Sequence, residues 1–211
     1  GVTATVVHAC VGGDSVPVGT VPGLNVGGTC CRHVKKGSCG MGGRNAVIVM
    51  DDSDLDLAVE GILWSAFGTA GQRCTACSRV IVHKDVKEEL EKKLLEQMKH
   101  LTIGNGLDES VKIGPVINEK ALDKISSYVE IGKDEGAKLL VGGNVLTEGD
   151  LANGHYFEPT LFTDVKWESR IAQEEIFGPV VSLIEVGSLE EAIEVNNSVV
   201  YGLSSSIFSR D

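Results

Sequence analysis

From Asn45 onward, apolar runs of strand length alternate with segments of helical period, and few folds are open to a chain with that rhythm. Asn45-Ala-Val-Ile-Val-Met50 is the β-branched run of a strand covered on both faces. Asp51 to Asp54 supplies N-cap and first-turn acids, and Leu55, Leu57, Ala58, Ile62, Leu63 and Ala66 then recur at helical spacing. That helix is expected to run to about Phe67, with Gly68 and Gly71 ending it. Arg79 to His83 reads as a strand and Val86 to Leu101 as an amphipathic helix. Asn118 caps another helix through Asp134, with Ala121, Ile125, Tyr128 and Ile131 facing inward. Further strands are expected at Lys138 to Val141, Val180 to Val186 and Leu203 to Phe208, with an extended stretch from Tyr156. Helices are expected at Arg170 to Ile176 and Leu189 to Asn196. The alternation predicts an α/β domain with a largely parallel sheet flanked by helices.

The first forty or so residues are different in kind. They show no sustained period, and a helix pattern is hard to find among their glycines, valines and turn residues. Residues 1–45 carry four bases (Arg32, Lys35, Lys36, Arg44) against the single acid Asp14, although the whole chain has a formal charge of −11. That acidic balance argues against a nucleic-acid partner, because a phosphate backbone requires a basic face. No apolar run exceeds strand length, so no membrane span is expected, and no amino-terminal segment reads as a secretion signal. Six cysteines in a chain of this size without such a signal indicate a reducing, cytoplasmic setting rather than a disulfide framework.

Cys74 is the residue that demands a chemical explanation. It lies in Phe67-Gly-Thr-Ala-Gly-Gln-Arg-Cys-Thr-Ala-Cys77, past the end of one helix and before the next strand. A lone cysteine is most often a small buried hydrophobe. A Gly-rich loop among polar residues instead makes the thiol accessible, and Arg73 or backbone amides there would favour the thiolate. Cys74 and Cys77 also form a C-x-x-C, readable as a redox pair or half a metal site. No second C-x-x-C or His-rich stretch follows, so no metal is expected, and the pair ends a helix where a redox motif would open one.

Five blocks in order resemble landmarks of the aldehyde dehydrogenase superfamily: Met41-Gly-Gly-Arg-Asn45, Asp51-Asp-Ser-Asp-Leu-Asp56, Phe67 to Cys74, Glu174-Glu-Ile-Phe-Gly-Pro179 and Tyr201-Gly-Leu-Ser-Ser205. The resemblance implies NAD(P)-dependent oxidation of an aldehyde to a carboxylic acid. Cys74 would be the nucleophile, passing through a thiohemiacetal and a thioester, with its own backbone N–H as one oxyanion donor. Glu175 would bind the ribose beside nicotinamide, and Phe177 would pack beside that ring. Outside the resemblance these two read as a helix-terminal surface acid and a core aromatic. The resemblance further implies that residues 1–43 are the tail of a Rossmann-like cofactor domain and residues 44–211 the catalytic domain, cut short at its carboxyl end. The parent enzyme would be a homo-oligomer. Trp64 and Phe67 hint at an apolar wall for the substrate, while Arg73 and Arg79 read as structural cations.

The pattern breaks upstream. Where the family carries the glutamate that activates the deacylating water, this chain has Gly40, which cannot accept a proton. Val18 replaces a family glycine, Pro22 is an unexpected neighbour of Gly23, and Gly27, Gly28, Cys30 and Cys31 make a poor version of the helix expected over Leu24 to Lys35. Two accounts stand beside a working dehydrogenase fragment. One is a catalytically dead relic serving as a folded or subunit-binding module; the other is a C-x-x-C redox protein. As this isolated chain, little steady dehydrogenase turnover is expected.

Overall fold

The computed structural model describes residues 13–17 and 20–211, and the side chains from Pro22 onward; the expectation for Val18 lies outside the described residues. The chain divides into two compact units, 1–42 and 43–211.

The first unit contains a β-α-β arrangement. Strand β1 (Gly13–Pro17) pairs in parallel with β2 (Lys36–Gly40), and helix α1 (Thr20–Arg32) connects them. The helix corrects the sequence expectation of a poor one. Propensity is a weak prior that burial overrides, and Val26 and Cys30, four apart on one face, are buried with Cys39 packed against them. Pro22 stands in the first turn, where its missing N–H would have had no helical acceptor. Thr29 Oγ1 donates back to Asn25 O at 2.8 Å, and Cys39 Sγ contacts Gly23 O at 3.6 Å.

The second unit is built on one six-stranded sheet. Its strands are β3 (Asn45–Val49), β4 (Cys77–His83), β5 (Lys138–Val141), β8 (Thr160–Thr163), β9 (Val180–Val186) and β10 (Ser205–Phe208). A separate short ribbon pairs β6 (Val145–Leu146) with β7 (Tyr156–Phe157). The spatial order in the main sheet is β10-β3-β4-β9-β8-β5, all parallel except β5, which runs antiparallel to β8. Every residue of β3 is buried, as the apolar run demands. Helix α2 (Leu55–Phe67) starts at Asp54, whose Oδ1 accepts from the N–H groups of Asp56 and Leu57 at 3.1 and 3.2 Å. It packs beside α3 (Lys87–Met98), which buries Leu90, Leu94 and Met98. Helix α6 (Leu189–Asn197) leads from β9 to β10. Crossovers between parallel strands are right-handed. The β3-to-β4 and β9-to-β10 connections run in opposite directions along the sheet, so α2 and α6 cover opposite faces.

Two expectations need correction. Helix α4 (Glu119–Asp134) is capped by Asn118 as expected, but its fully buried face is Leu122, Ile125, Val129 and Gly132. Ala121, Tyr128 and Ile131 sit at the margin of the core, since the Tyr128 hydroxyl must reach the rim to donate to Glu174 Oε2 at 2.6 Å. Helix α5 is also shorter than expected, Arg170–Gln173, because Glu174 is already extended at φ −99°, ψ 143°. The Glu174 carboxylate accepts from Arg170 Nε and Nη2 at 2.9 and 3.0 Å, ending the helix in a side-chain clamp.

Candidate active site

Two loops meet at the amino edge of the sheet. One, between α2 and β4, carries Cys74; the other, between α5 and β9, carries Glu175 and Phe177. Gly71 holds them together: at φ +68° it takes a conformation natural to glycine, and a Cβ there would stand 2.1 Å from Gly178 O. Phe177 itself is left-handed at φ 61°, an outlier for a bulky residue, and the residue remains 41% exposed. Backbone strain and an exposed aromatic at one position make a functional candidate rather than a core residue.

Cys74 is an exposed, free thiol. Among the described residues no acceptor pairs with its backbone N–H. Its carbonyl, by contrast, is fixed: Asn45 Nδ2 donates to Cys74 O at 2.7 Å and to Ala76 O at 3.0 Å. Asn45 Oδ1 in turn accepts from the N–H and hydroxyl of Ser204 at 3.2 and 3.0 Å. One buried amide thus ties the cysteine turn, the head of β3 and the start of β10 together. Gly43 leaves room for this approach, since a Cβ there would lie 2.5 Å from Cys74 O.

Glu175 is half-buried, and its Oε1 accepts from Gly43 N at 3.1 Å, so it is neither a helix residue nor a free surface acid. Its Oε2 has no partner among the described residues, and Lys124 Nζ donates to its carbonyl at 2.7 Å. The structure therefore brings the Cys74 turn, Gly43 and Glu175 onto one surface, joined by Gly71, Phe177 and Gly178 around a small depression.

The surrounding cations are structural. The Arg73 guanidinium lies 4.5 Å over the Trp64 ring and donates to Ser65 O at 3.2 Å, which directs it along α2 rather than reserving it for the Cys74 thiol. Arg79 is buried, and it donates to the carbonyls of Arg44, Val195 and Asn196 at 2.9, 2.9 and 3.0 Å. Arg44 donates to Ile171 O and, at 3.3 Å, to Ala172 O. Burial first, then the neighbouring Arg79 charge, pull the Arg44 guanidinium down to about 9, and burial brings Arg79 to about 10. Of the expected apolar wall, Trp64 is 68% exposed while Phe67 is core. Cys77 is enclosed at the start of β4, and burial pushes its thiol up to about 12. A redox pair needs two accessible, interchanging sulfurs, and here one is exposed and the other sealed, so the geometry gives no support to that account. Asn45 had no role in the sequence reading. The signal available was the polar pair Arg44-Asn45 heading an otherwise apolar strand.

The chain resembles known proteins in both sequence and fold. Residues 17–211 match the model of the aldehyde dehydrogenase family. The α-ketoglutaric semialdehyde dehydrogenase of Bacillus subtilis is 50% identical over 171 residues, covering 81% of this chain and 35% of that protein. A 1-pyrroline-5-carboxylate dehydrogenase of Staphylococcus aureus is 48% identical over 171 residues, covering 81% and 32%. The crystal structure of Staphylococcus aureus betaine aldehyde dehydrogenase in complex with NAD+ superposes with a TM-score of 0.96 at 36% identity, covering 99% of this chain and 42% of that one. The chain belongs to the aldehyde dehydrogenase family, and it spans about a third of the length of the curated relatives it matches. No helix among the described residues is long and apolar enough to cross a membrane.

Proposed function

We propose that this chain carries the nucleophilic half of an NAD(P)-dependent aldehyde dehydrogenase, with Cys74 as the attacking thiol. The observation that carries the reading is an exposed cysteine with a tethered carbonyl and an unpaired backbone N–H, set beside the Glu175–Phe177 loop. The Cys74 sulfur adds to the aldehyde carbon, and the oxygen takes up negative charge where the Cys74 N–H can donate to it. Loss of hydride from that adduct leaves a thioester on Cys74, and NAD(P), when bound, supplies the acceptor. The Glu175 Oε2 without a partner and the exposed Phe177 fit the ribose and ring contacts of such a dinucleotide. NAD+ is present in the superposed betaine aldehyde dehydrogenase structure, which supports the choice of cofactor class.

Hydrolysis is the weak step. Position 40, where the family places its general base, is a glycine ending β2. Without a carboxylate to activate water, release of the acyl group from Cys74 slows by a factor on the order of 10²–10⁴. The cycle stalls at the thioester and steady turnover is low. Both loops lie within residues 44–211, read here as the catalytic domain, with 1–43 as the tail of a cofactor domain. The full-length parent is a homo-oligomer working in the cytoplasm on a small aldehyde. Incubation with an aliphatic aldehyde and NAD+, acid quench and peptide mass mapping tests this. An acyl adduct on Cys74 is the expected result. An unmodified Cys74 peptide after complete incubation favours the relic that retains only the fold.

A further inference from the structure

The opposite edge of the sheet holds a second cluster of ligating groups. Strands β3 and β4 run in register with Val49 beside Val82, so the chain leaving β3 and the end of β4 emerge side by side. There Asp51, His83 and Asp85 each offer one ligand atom, all within 4.8 Å of one another. The strand β4 separates this point from Cys77 by its seven residues, about 20 Å of extended chain. The cluster is therefore remote from the Cys74 site.

The histidine is what distinguishes it from a chance group of surface acids. His83 is only 8% exposed, and its Nε2 lies 3.1 Å from Gly187 O, at the end of β9. A carbonyl can only accept, so Nε2 carries the proton, and in the neutral ring Nδ1 is left as the ligand atom, on the side of Asp85. The other contacts of Nδ1 are long: the Asp85 N–H at 3.4 Å and Asp85 Oδ2 at 3.7 Å. A buried imidazole whose far N–H is held by a backbone carbonyl, outside the cluster, is the usual arrangement of a metal-binding histidine. Asp51 and Asp85 are exposed and free to close the remaining distance. Lys87, at the start of the following helix, is already engaged by Asp164 and Glu185 at 2.6 and 3.0 Å. The position also suits a ligand. Connections leave β4 and β9 for opposite faces of the sheet, and in open α/β sheets ligands settle outside the carboxyl ends of strands at such a switch point.

We propose that Asp51, His83 and Asp85 bind a divalent transition-metal ion of the zinc or manganese class, which ties the ends of β3, β4 and, through His83, β9. One nitrogen and two carboxylate oxygens suit these ions better than calcium or magnesium, which favour all-oxygen sites. The net charge of the ligand set is balanced by one divalent cation. The role is structural, and the sequence shows no metal spacing because the three residues meet only when two strands align.

The test is titration of the EDTA-treated 211-residue chain with Zn2+ and, separately, Mn2+, followed by calorimetry and thermal melting. Saturable binding of one ion is expected, raising Tm by about 5–10 °C at a hundredfold excess over Kd. Asp51→Asn and Asp85→Asn, both at exposed positions, should each weaken binding by at least the roughly tenfold that even the loss of an outer-shell partner costs. His83→Gln should do the same, and the two aspartate variants decide the matter if that buried change prevents folding. Absence of binding, or affinity unchanged in Asp51→Asn and Asp85→Asn because thiols hold the ion, overturns the proposal.

Discussion

Replacing Asn45 with alanine should loosen the cysteine turn and destabilise the second unit together. The Asn45 side chain is 6% exposed and makes four hydrogen bonds: two donated to Cys74 O and Ala76 O, two accepted from Ser204. Cys74 is exposed, so water can replace the bond to its carbonyl. Ala76 is buried, and its carbonyl has no such recourse, while Ser204 is exposed, so water can take its N–H and hydroxyl at the loss of two bonds. A net bond contributes about 1 kcal/mol, and a polar group stranded away from water costs about 1–3 kcal/mol. The sum for Asn45→Ala is about 3 kcal/mol, a large part of the roughly 5–15 kcal/mol that holds an ordinary domain folded. Urea unfolding gives the stability directly, provided the slope is unchanged. Amide exchange should accelerate most at Cys77 and Ser204, the segments the amide joins. Asn45→Asp keeps the acceptor for Ser204 but loses both donations, so it should not restore the wild-type value. A loss below about 1 kcal/mol, with exchange unchanged at both segments, would refute the argument that this amide organises the site.

Four other outcomes follow from the same structure. Iodoacetamide at pH 8 should alkylate Cys74 at least a hundredfold faster than Cys77, whose enclosure and raised thiol pKa, about 12, withhold the thiolate; peptide mapping against time reads both rates. Gly71→Ala should cost at least about 2 kcal/mol and displace the Glu175–Phe177 loop, because the new methyl would meet Gly178 O at 2.1 Å on a left-handed backbone; thermal melting and Cys74 labelling measure the two effects. Arg79→Met should destabilise by about 3 kcal/mol, since three carbonyls lose a buried donor, and denaturation at neutral pH checks it. Glu174 is held below its ordinary carboxylate value, first by the Arg170 hydrogen bond and then by Tyr128. A lowered folded pKa means stability present above about 4.5 and lost as pH falls through the folded value. The pair is largely solvated, so the loss is small, and Glu174→Gln should flatten that part of the profile.

Much of this was legible from the chain. The β-branched run at Asn45 and the cap candidates from Asp51 to Asp54 indicated a buried strand and a helix start from local chemistry alone, and both stand in the structure, with Asp54 as the cap. The ordered blocks around Cys74, Glu175 and Phe177 indicated the family, and the two loops carrying them do meet. What was not legible depended on contacts far apart in sequence. Helix α1 forms despite its glycines because Val26 and Cys30 find a common cover with Cys39. Helix α5 stops at Gln173 because Glu174 reaches both Arg170 and Tyr128, and no local period announces that clamp. Asn45 reads as the first residue of a strand, yet it spans to Cys74 and Ser204. Register between β3 and β4 likewise sets Asp51 beside His83, which a one-dimensional search for metal spacing could not reveal.

The most direct test of Cys74 as the nucleophile needs no cofactor. Mixing the chain with p-nitrophenyl acetate should release a burst of about one nitrophenolate per chain, followed by a slow phase, with the acetyl group mapped to Cys74. Cys74→Ala should abolish the burst, and Gly40→Glu should speed the slow phase without enlarging the burst. A burst that survives Cys74→Ala, or an acetyl group found on another cysteine, would contradict the account.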